Sequence, residues 1–366
     1  MTASDDADLP QSAPRAMRVR IRPEVLAFPR YVAGKSQPGA AKLSSNENPE
    51  PPTPDVIEAA GRALEDANRY PDMGAVLLRS AIADHLGVES DQICVGTGSS
   101  GVLVAALSAV CAPGGEVVHP WRSFESYPIA IPTAGGVPVP VALDAHDAID
   151  LEAMARAVGP RTAAVILCSP NNPTGPALRL EDVRAFLRRT PQEVLVILDE
   201  AYIEMATAPG VGSAVPLLGE FPNLLVLRTF SKVYALAGLR VGYGVAHRDL
   251  TAAVTAVSLP FGVSSVAQAA ALAALADQGA VARSVRLIVA ERERMLADLR
   301  GCGYRVPDSQ ANFVWLPADQ SGPAFVQACS AANLVVRPFP EGVRVSVGRP
   351  EDDDRFLEVA RAFRGA

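Results

Sequence analysis

Residues 163–175 read AAVILCSPNNPTG, an apolar run that stops at a loop containing two prolines. The same change from apolar to polar recurs in VLVILDEAY at residues 194–202 and in LLVLRTFSK at residues 224–232. Short apolar runs bounded by turn residues are typical of strands that are buried on both faces, as in parallel sheets. We therefore predict an α/β fold built on a mostly parallel sheet.

Helical patterns lie between these apolar runs. Residues 181–189, for example, place Val183, Phe186 and Leu187 on one helical face. Strands that alternate with helices indicate a sheet sandwiched by helices on both sides. From about residue 263 the pattern changes to Ala-rich and charged helices, followed by short strands at 313–316, 334–336 and 343–347. This change indicates a smaller α+β domain at the C-terminal end.

The length of 366 residues suggests two domains. We predict a large domain at residues 51–260 and a small C-terminal domain at 261–366. Residues 21–50 are predicted to form an N-terminal arm that joins the small domain. The polar, acidic residues 1–20 are predicted to be a disordered tail, because they lack the apolar stretch of a secretory signal.

Composition excludes several classes of partner. With 40 acidic and 33 basic residues the formal charge is -7, and the chain has no long basic run, so a nucleic-acid partner is not expected. The Ala-rich residues 252–276 are interrupted by Pro260 and by polar residues, so we predict no membrane span. The four scattered histidines lack ligand spacing, which argues against a metal site. Five widely spaced cysteines without a C-x-x-C motif indicate reduced thiols and a cytoplasmic protein.

Four of the predicted strands, at 92–95, 163–168, 194–199 and 224–228, run directly into an unusual polar group. The polar groups are GTGSSG at 96–101, SPNNPTG at 169–175, DEAY at 199–202 and RTFSK at 228–232. In open α/β sheets ligands bind beyond the carboxyl ends of the strands. We therefore expect these distant segments to converge on one small-molecule site.

Lysine is rare in this chain, with Lys35, Lys42 and Lys232 among 33 basic residues. A reaction that needs an amine able to lose its proton cannot use a guanidinium, and Schiff-base chemistry is such a reaction. Lys232 follows a predicted strand close to Asp199, which favours a catalytic amine over the alternative, an ordinary surface charge.

Asp199 ends a fully apolar strand. A carboxylate in such a low-dielectric place needs a positive partner, and a protonated ring nitrogen is one. In pyridoxal phosphate chemistry an aspartate keeps the pyridine nitrogen protonated, so that the ring acts as an electron sink. The alternative is that Asp199 only caps the following segment.

The residues Gly98, Ser99 and Ser100 open a predicted apolar helix at 102–112. Backbone N–H groups at a helix start, together with short hydroxyl side chains, suit a phosphate. Ser231 and Arg240 are candidates for further phosphate donors. Such loops are also often plain tight turns, so this motif alone is weak.

Three motifs carry a resemblance to a known family: SPNNPTG at 169–175, DEAY at 199–202 and RTFSKVYALAGLR at 228–240. In their order and spacing the chain resembles the fold type I pyridoxal-phosphate-dependent aminotransferases, and within them the histidinol-phosphate aminotransferase subfamily. Residues 121–128, 260–268 and 309–317 look like the aromatic amino acid aminotransferase branch. The resemblance extends from about Arg22 to the C-terminus and implies a pyridoxal 5'-phosphate cofactor.

The resemblance also implies roles for individual residues. Lys232 would form the Schiff base and shuttle the proton, Asp199 would hold the pyridinium, and Phe124 would stack on the ring. Asn172 and Tyr202 would hydrogen-bond the phenolic oxygen of the cofactor. The resemblance also makes Tyr202 a candidate catalytic residue. The residues implied for the phosphate are Ser99, Ser100, Thr229, Ser231 and Arg240.

Two further implications concern the partner subunit and the substrate. Tyr70 matches the tyrosine that reaches the phosphate from the partner subunit, so a homodimer is implied. Arg344 matches the arginine that holds the substrate carboxylate, and Arg337, Asn46 and Tyr31 are the other substrate-binding candidates. The side chains of Phe124, Phe261 and Phe313 are expected to offer ring surface, with at least one of them in the core.

The leading hypothesis is therefore transamination of the aromatic L-amino acids phenylalanine and tyrosine with 2-oxoglutarate, by a ping-pong mechanism. The alternatives are a histidinol-phosphate aminotransferase and, from another enzyme class, a phosphothreonine decarboxylase. A nucleotide-binding dehydrogenase rests on GTGSSG at 96–101 alone and lacks the acidic residue that such sites need. A non-catalytic binding protein would have no need of Lys232.

Overall fold

The computed structural model describes residues 20, 23–26, 28 and 37–365. The strands are β1 (Ala41–Leu43), β2 (Ile93–Gly96), β3 (Glu116–Trp121), β4 (Val137–Ala142), β5 (Thr162–Cys168), β6 (Leu195–Asp199), β7 (Leu224–Thr229), β8 (Gly242–Ala246), β9 (Phe313–Pro317), β10 (Leu334–Phe339) and β11 (Gly342–Ser346). The helices are α1 (Pro23–Leu26), α2 (Pro54–Leu64), α3 (Val76–Leu86), α4 (Gly98–Val110), α5 (Tyr127–Thr133), α6 (Leu151–Ala157), α7 (Leu180–Arg189), α8 (Arg248–Val257), α9 (Ser265–Ala276), α10 (Gln278–Gly301), α11 (Pro323–Ala331) and α12 (Pro350–Gly365).

Seven strands form one sheet in the order β2-β8-β7-β6-β5-β3-β4. The pairs from β7 through β6, β5 and β3 to β4 are parallel, and β8 runs antiparallel to both of its neighbours in this sheet, β2 and β7. The mostly parallel sheet is therefore confirmed. Because β2, β5, β6 and β7 run in the same direction, their carboxyl ends lie at the same edge.

Both faces of this sheet are buried. Along β6, Val196 and Leu198 belong to one apolar cluster, whereas Leu195 and Ile197 belong to another on the opposite face. Side chains of successive strand residues point to opposite faces, so a strand covered on both sides must be apolar throughout. The prediction of helices on both faces is confirmed.

A second, four-stranded sheet has the order β1-β10-β11-β9. Its strand β1 pairs in parallel with β10, from Ala41 opposite Leu334 to Leu43 opposite Val336. Its apolar cluster includes Phe313, Val345 and side chains from α10, α11 and α12. The predicted boundaries of the domains, and the arm at 21–50, stay predictions.

Helices begin and end where local chemistry allows. In α9 the Ser264 hydroxyl accepts a hydrogen bond from the Ala267 amide, and in α10 the Asp277 carboxylate accepts one from Ala280. Such side chains satisfy N–H groups that a helix start leaves without a partner. In α7 the residues Val183, Phe186 and Leu187 are buried together, as their spacing predicted.

Within the described ranges, no helix combines the length and the apolar character that crossing a membrane requires.

Candidate active site

The carboxyl edge of the large sheet borders a cavity of about 320 Å³ that β10 and β11 of the smaller sheet also line. Polar segments that are far apart in sequence meet there, as the strand pattern predicted. The predicted site residues that line the cavity are Asn46, Ser99, Ser100, Phe124, Asn172, Asp199, Tyr202, Thr229, Ser231, Lys232, Arg240, Arg337 and Arg344.

One predicted site residue, Tyr70, lies away from the cavity, and another, Tyr31, falls outside the described part of the chain. Tyr70 is 83% exposed and stacks on Phe261 with 4.7 Å between the ring centroids, away from the cavity of its own subunit. Its proposed reach into a partner's site stays a prediction. Of the three phenylalanines expected to offer ring surface, Phe124 lines the cavity, whereas Phe313 is fully buried in the core.

Lys232 presents its amine to the cavity. Its Nζ donates to the Ser45 carbonyl at 3.4 Å and lies 5.6 Å from the centroid of the Tyr202 ring. Burial, followed by the positive charge of Arg344, lowers the pKa of the Lys232 amine to about 7, and the carboxylates of Glu47 and Asp199 only partly oppose this. An amine with such a pKa is largely available as a neutral nucleophile at physiological pH.

Asp199 is the last residue of β6 and is 5% exposed. Its Oδ2 accepts a hydrogen bond from the Tyr127 hydroxyl at 2.9 Å, and its Oδ1 accepts one from the Ala201 amide at 3.2 Å. Burial raises the pKa of the Asp199 carboxyl, and the hydrogen bond from Tyr127 counteracts that rise. The carboxylate thus takes part in the local turn and also faces the cavity.

Tyr202 and Asn46 form a buried pair. The Asn46 side chain donates to the Tyr202 hydroxyl oxygen at 3.1 Å, and its carbonyl oxygen accepts from the Ser346 hydroxyl at 2.8 Å. With the Asn46 amide as a donor, the Tyr202 O–H is left to donate in another direction. Burial raises the pKa of Tyr202, so this hydroxyl stays protonated.

An anion cradle lies at the start of α4. This helix begins at Gly98, before the apolar run, so the first-turn N–H groups of Gly98, Ser99 and Ser100 lie at the cavity. Gly98 has φ +74°, and a Cβ there would approach Arg240 Nη2 within 2.9 Å. Arg240 Nη1 lies 3.4 Å from the Ser231 hydroxyl, which in turn accepts from Thr229 at 2.9 Å. Amides, hydroxyls and a guanidinium therefore converge on one place.

Two arginines, Arg337 and Arg344, line the part of the cavity that the smaller sheet forms. They lie directly across from each other in the β10–β11 pair. Arg344 donates to the Asn172 side-chain oxygen at 2.5 Å and to the Ser44 carbonyl at 2.6 Å. Arg337 donates to the Glu125 carboxylate at 2.6 Å. The cavity thus combines two guanidinium groups with the Phe124 ring.

Sequence reasoning missed two residues of this region. Tyr127 and Glu125 both lie in the segment 121–128, but nothing in their spacing assigned them a contact. Their partners Asp199 and Arg337 are 72 and 212 positions away, so only the fold brings them together.

The fold and the site define a class of protein: a fold type I transferase, with Lys232 and the buried Asp199 at the carboxyl edge of its large sheet. The model of the aminotransferase class I and II family matches residues 39–359, and the chain belongs to this family. It is a pyridoxal-phosphate-dependent aminotransferase, which confirms the predicted family and enzyme class.

Curated relatives extend over most of the chain. An aromatic amino acid aminotransferase of Streptomyces avermitilis is 46% identical over 350 residues, which cover 94% of this chain and 98% of the relative. An enzyme with the same name from Rhodococcus opacus is 46% identical over 345 residues, with 94% and 96% covered.

Solved structures are similar in fold. The histidinol-phosphate aminotransferase of Sinorhizobium meliloti in complex with pyridoxal-5'-phosphate has a TM-score of 0.87 at 28% identity, covering 96% of this chain and 99% of that one. A tetra mutant of the Thermus thermophilus aspartate aminotransferase has a TM-score of 0.82 at 26% identity, with 95% and 100% covered.

Proposed function

We propose that the protein transaminates aromatic L-amino acids, with phenylalanine and tyrosine as good donors and 2-oxoglutarate as the acceptor, by a ping-pong mechanism. One observation carries the proposal: the same cavity joins the amine of Lys232, whose pKa is lowered to about 7, the guanidinium of Arg344 and the ring of Phe124. The names of the curated relatives support aromatic donors.

The residues of the cavity fit pyridoxal 5'-phosphate. The cradle at the start of α4 suits a phosphate, and the buried Asp199 suits a protonated ring nitrogen. When bound, this cofactor supplies an electron sink for bonds at the Cα of an amino acid. The residues proposed to hold its phosphate are Ser99, Ser100, Thr229, Ser231 and Arg240.

The other groups each have a proposed task. Lys232 provides the amine that binds the cofactor covalently and then moves the proton at the substrate Cα, because its lowered pKa lets it accept and release a proton near neutrality. Asp199 holds the positive ring nitrogen, and Phe124 stacks on the ring. Tyr202 and Asn172 are proposed to hydrogen-bond the phenolic oxygen, with the Tyr202 hydroxyl oriented by Asn46.

We assign the substrate α-carboxylate to Arg344, because a fork-shaped guanidinium matches a carboxylate in two parallel hydrogen bonds. The Arg344 Nη1 donates to the Asn172 side-chain oxygen, so a bound carboxylate would compete for that donor. Arg337, Asn46 and Tyr31 are proposed to contribute to the selectivity for the side chain.

We also propose a homodimer in the cytoplasm. Tyr70 is an exposed aromatic residue that is not needed for the core of its own subunit, which supports its proposed contact with the partner's phosphate site. The five cysteines are unpaired, as expected for a reducing compartment.

Histidinol-phosphate transamination is the second candidate. Arg337 and Arg344 lie opposite each other and together match a phosphate dianion, and one structural neighbour carries that name. This donor has no α-carboxylate, so both arginines would have to turn to its phosphate.

The test is a comparison of specificity constants for phenylalanine, tyrosine and histidinol phosphate with 2-oxoglutarate as acceptor. We expect the two aromatic donors to exceed histidinol phosphate. A specificity constant for histidinol phosphate tenfold or more above that for phenylalanine would move the protein to the second candidate. Release of carbon dioxide without amino transfer would instead indicate a decarboxylase.

A further inference from the structure

An acidic side chain neutralises one of the two arginines that line the cavity. Arg337 Nη2 donates to Glu125 Oε2 at 2.6 Å, and Arg337 is 8% exposed. Glu125 lies in the segment between β3 and α5, directly after Phe124, and its side chain keeps 29% of its surface exposed. A short hydrogen bond between two charged groups is stronger than a neutral one, and partial burial limits its screening by salt.

The charges of this wall favour a single anion. Arg337 and Arg344 are directly opposite in the β10–β11 register, and like charges in that position repel each other. The Glu125 carboxylate cancels one of them, so these three side chains together carry one net positive charge. One positive charge matches one carboxylate, whereas a phosphate dianion, or a second carboxylate such as that of 2-oxoglutarate, requires that Arg337 leave Glu125.

A ring restricts where the arginines lie. The Phe339 ring centroid is 5.6 Å from Arg337 Cζ and 5.7 Å from Arg344 Cζ. Guanidinium groups are attracted to aromatic faces at such distances. Because Arg337 is held by both Phe339 and Glu125, an anionic side chain of a substrate has to displace the Glu125 carboxylate or lie beside it.

We propose that Glu125 is a specificity-determining residue: by pairing with Arg337 it lowers the affinity of the cavity for a second anionic group. Amino donors with an uncharged side chain are therefore favoured, and the distal carboxylate of the acceptor 2-oxoglutarate has to displace Glu125 from Arg337. The inference rests on the proposed function, because it assumes that Arg344 binds the α-carboxylate. Rejection of a competitor by an uncompensated like charge is a common source of specificity.

The first experiment uses the cofactor-loaded enzyme and the variants Glu125→Gln and Glu341→Gln. Glutamine keeps the size of the side chain and removes its charge. Glu341 is a matched control, since it pairs with Arg122 at 2.7 Å and neither of these residues is among the described residues that line the cavity. In Glu125→Gln the specificity constant for histidinol phosphate, divided by that for phenylalanine, is expected to rise at least tenfold. In the control this ratio should stay within threefold of the wild-type value.

The second experiment measures binding without turnover. Hydrocinnamate carries one carboxylate and a phenyl ring, whereas glutarate carries two carboxylates, and calorimetry gives their dissociation constants with the loaded enzyme. In Glu125→Gln the dissociation constant for glutarate is expected to fall at least fivefold relative to that for hydrocinnamate. In the background Arg337→Gln the same replacement should have no such effect, because the arginine that it frees is absent. Glu125→Ala is a second neutral replacement with the same expectation, in case glutamine disturbs folding.

An unchanged ratio of the two dissociation constants in both neutral variants would overturn the proposal. Tighter binding of glutarate, relative to hydrocinnamate, that persists in the Arg337→Gln background would also overturn the proposal. Failure of the wild-type enzyme to transaminate phenylalanine would contradict the proposed function alone, because the preference between glutarate and hydrocinnamate is measured independently of turnover.

Discussion

Removal of the Lys232 amine is expected to stabilise the cofactor-free protein, and more at pH 7 than at pH 9. The pKa of this amine is lowered from 10.5 to about 7 in the folded chain, first by burial and then by Arg344. A lysine with a lowered folded pKa destabilises the fold fully below that pKa. The destabilisation disappears as the pH rises towards the pKa of the unfolded chain.

The magnitude follows from the two pKa values. A shift from 10.5 to about 7 corresponds to a destabilisation of up to about 4 kcal/mol at pH 7 and about 2 kcal/mol at pH 9. Both are upper values, because the side chain opens to the cavity and water there screens its charge. Lys232→Met replaces the amine by an unbranched apolar side chain of similar length, so it should recover most of this free energy.

The assay is thermal unfolding of the cofactor-free wild type and of Lys232→Met, followed by circular dichroism at both pH values. The midpoint is expected to rise in the variant, by several degrees more at pH 7 than at pH 9, since one kcal/mol shifts it by roughly 2–4 °C in proteins of moderate size. Arg62→Met is the control: Arg62 pairs with Glu58 on the exposed face of α2, and such pairs contribute about 0–1 kcal/mol. An equal rise of the Lys232→Met midpoint at the two pH values would refute the conclusion that burial lowers the pKa of the Lys232 amine.

Three further outcomes are expected. Lys232→Arg should lose transamination while the protein stays folded, because a guanidinium does not release its proton; turnover within tenfold of the wild type would remove the assignment of the amine. Asp199→Asn should slow proton abstraction in single-turnover experiments by at least about 100-fold, and unchanged single-turnover rates would reduce Asp199 to a structural residue. Arg228 pairs with the buried Glu200 at 3.1 Å and with Glu204 at 2.6 Å, so Arg228→Met should lower the stability measured in urea by about 3–5 kcal/mol; a loss below about 1 kcal/mol would contradict the buried pair.

The sequence predicted the strands that combine apolar runs with clear ends, and it missed the others. Strand β4 reads VPVPVA and strand β8 reads GYGVA. Proline and glycine are signals for turns, so both segments lacked the usual strand pattern. The structure explains their presence: β4 is an edge strand, which tolerates proline, and at Gly242 in β8 a Cβ would collide with the Ser99 backbone nitrogen.

The site was predictable to the extent that its residues follow strands. Lys232, Asp199 and Asn172 each come just after or at the end of an apolar run, and such positions meet at one edge in a parallel sheet. Side-chain pairs between distant segments leave no such signal. The contact of Glu125 with Arg337 joins the large sheet's edge to β10, and it depends on how the two sheets are arranged.

The use of arginine rather than lysine around the cavity affects the pKa of the Lys232 amine. Arg344 and Arg240 both lower the pKa of the Lys232 amine through their positive charge, while Glu47 and Asp199 raise it. A guanidinium keeps its charge in a buried place, whereas a second lysine there would itself be free to lose its proton. Arginine at positions 240 and 344 therefore supplies anion-binding groups with a fixed charge, and that charge adds to the effect of burial, which is the larger cause of the lowered pKa of the Lys232 amine. A chain that used lysine for both tasks would weaken the anion sites and raise the pKa of its nucleophile.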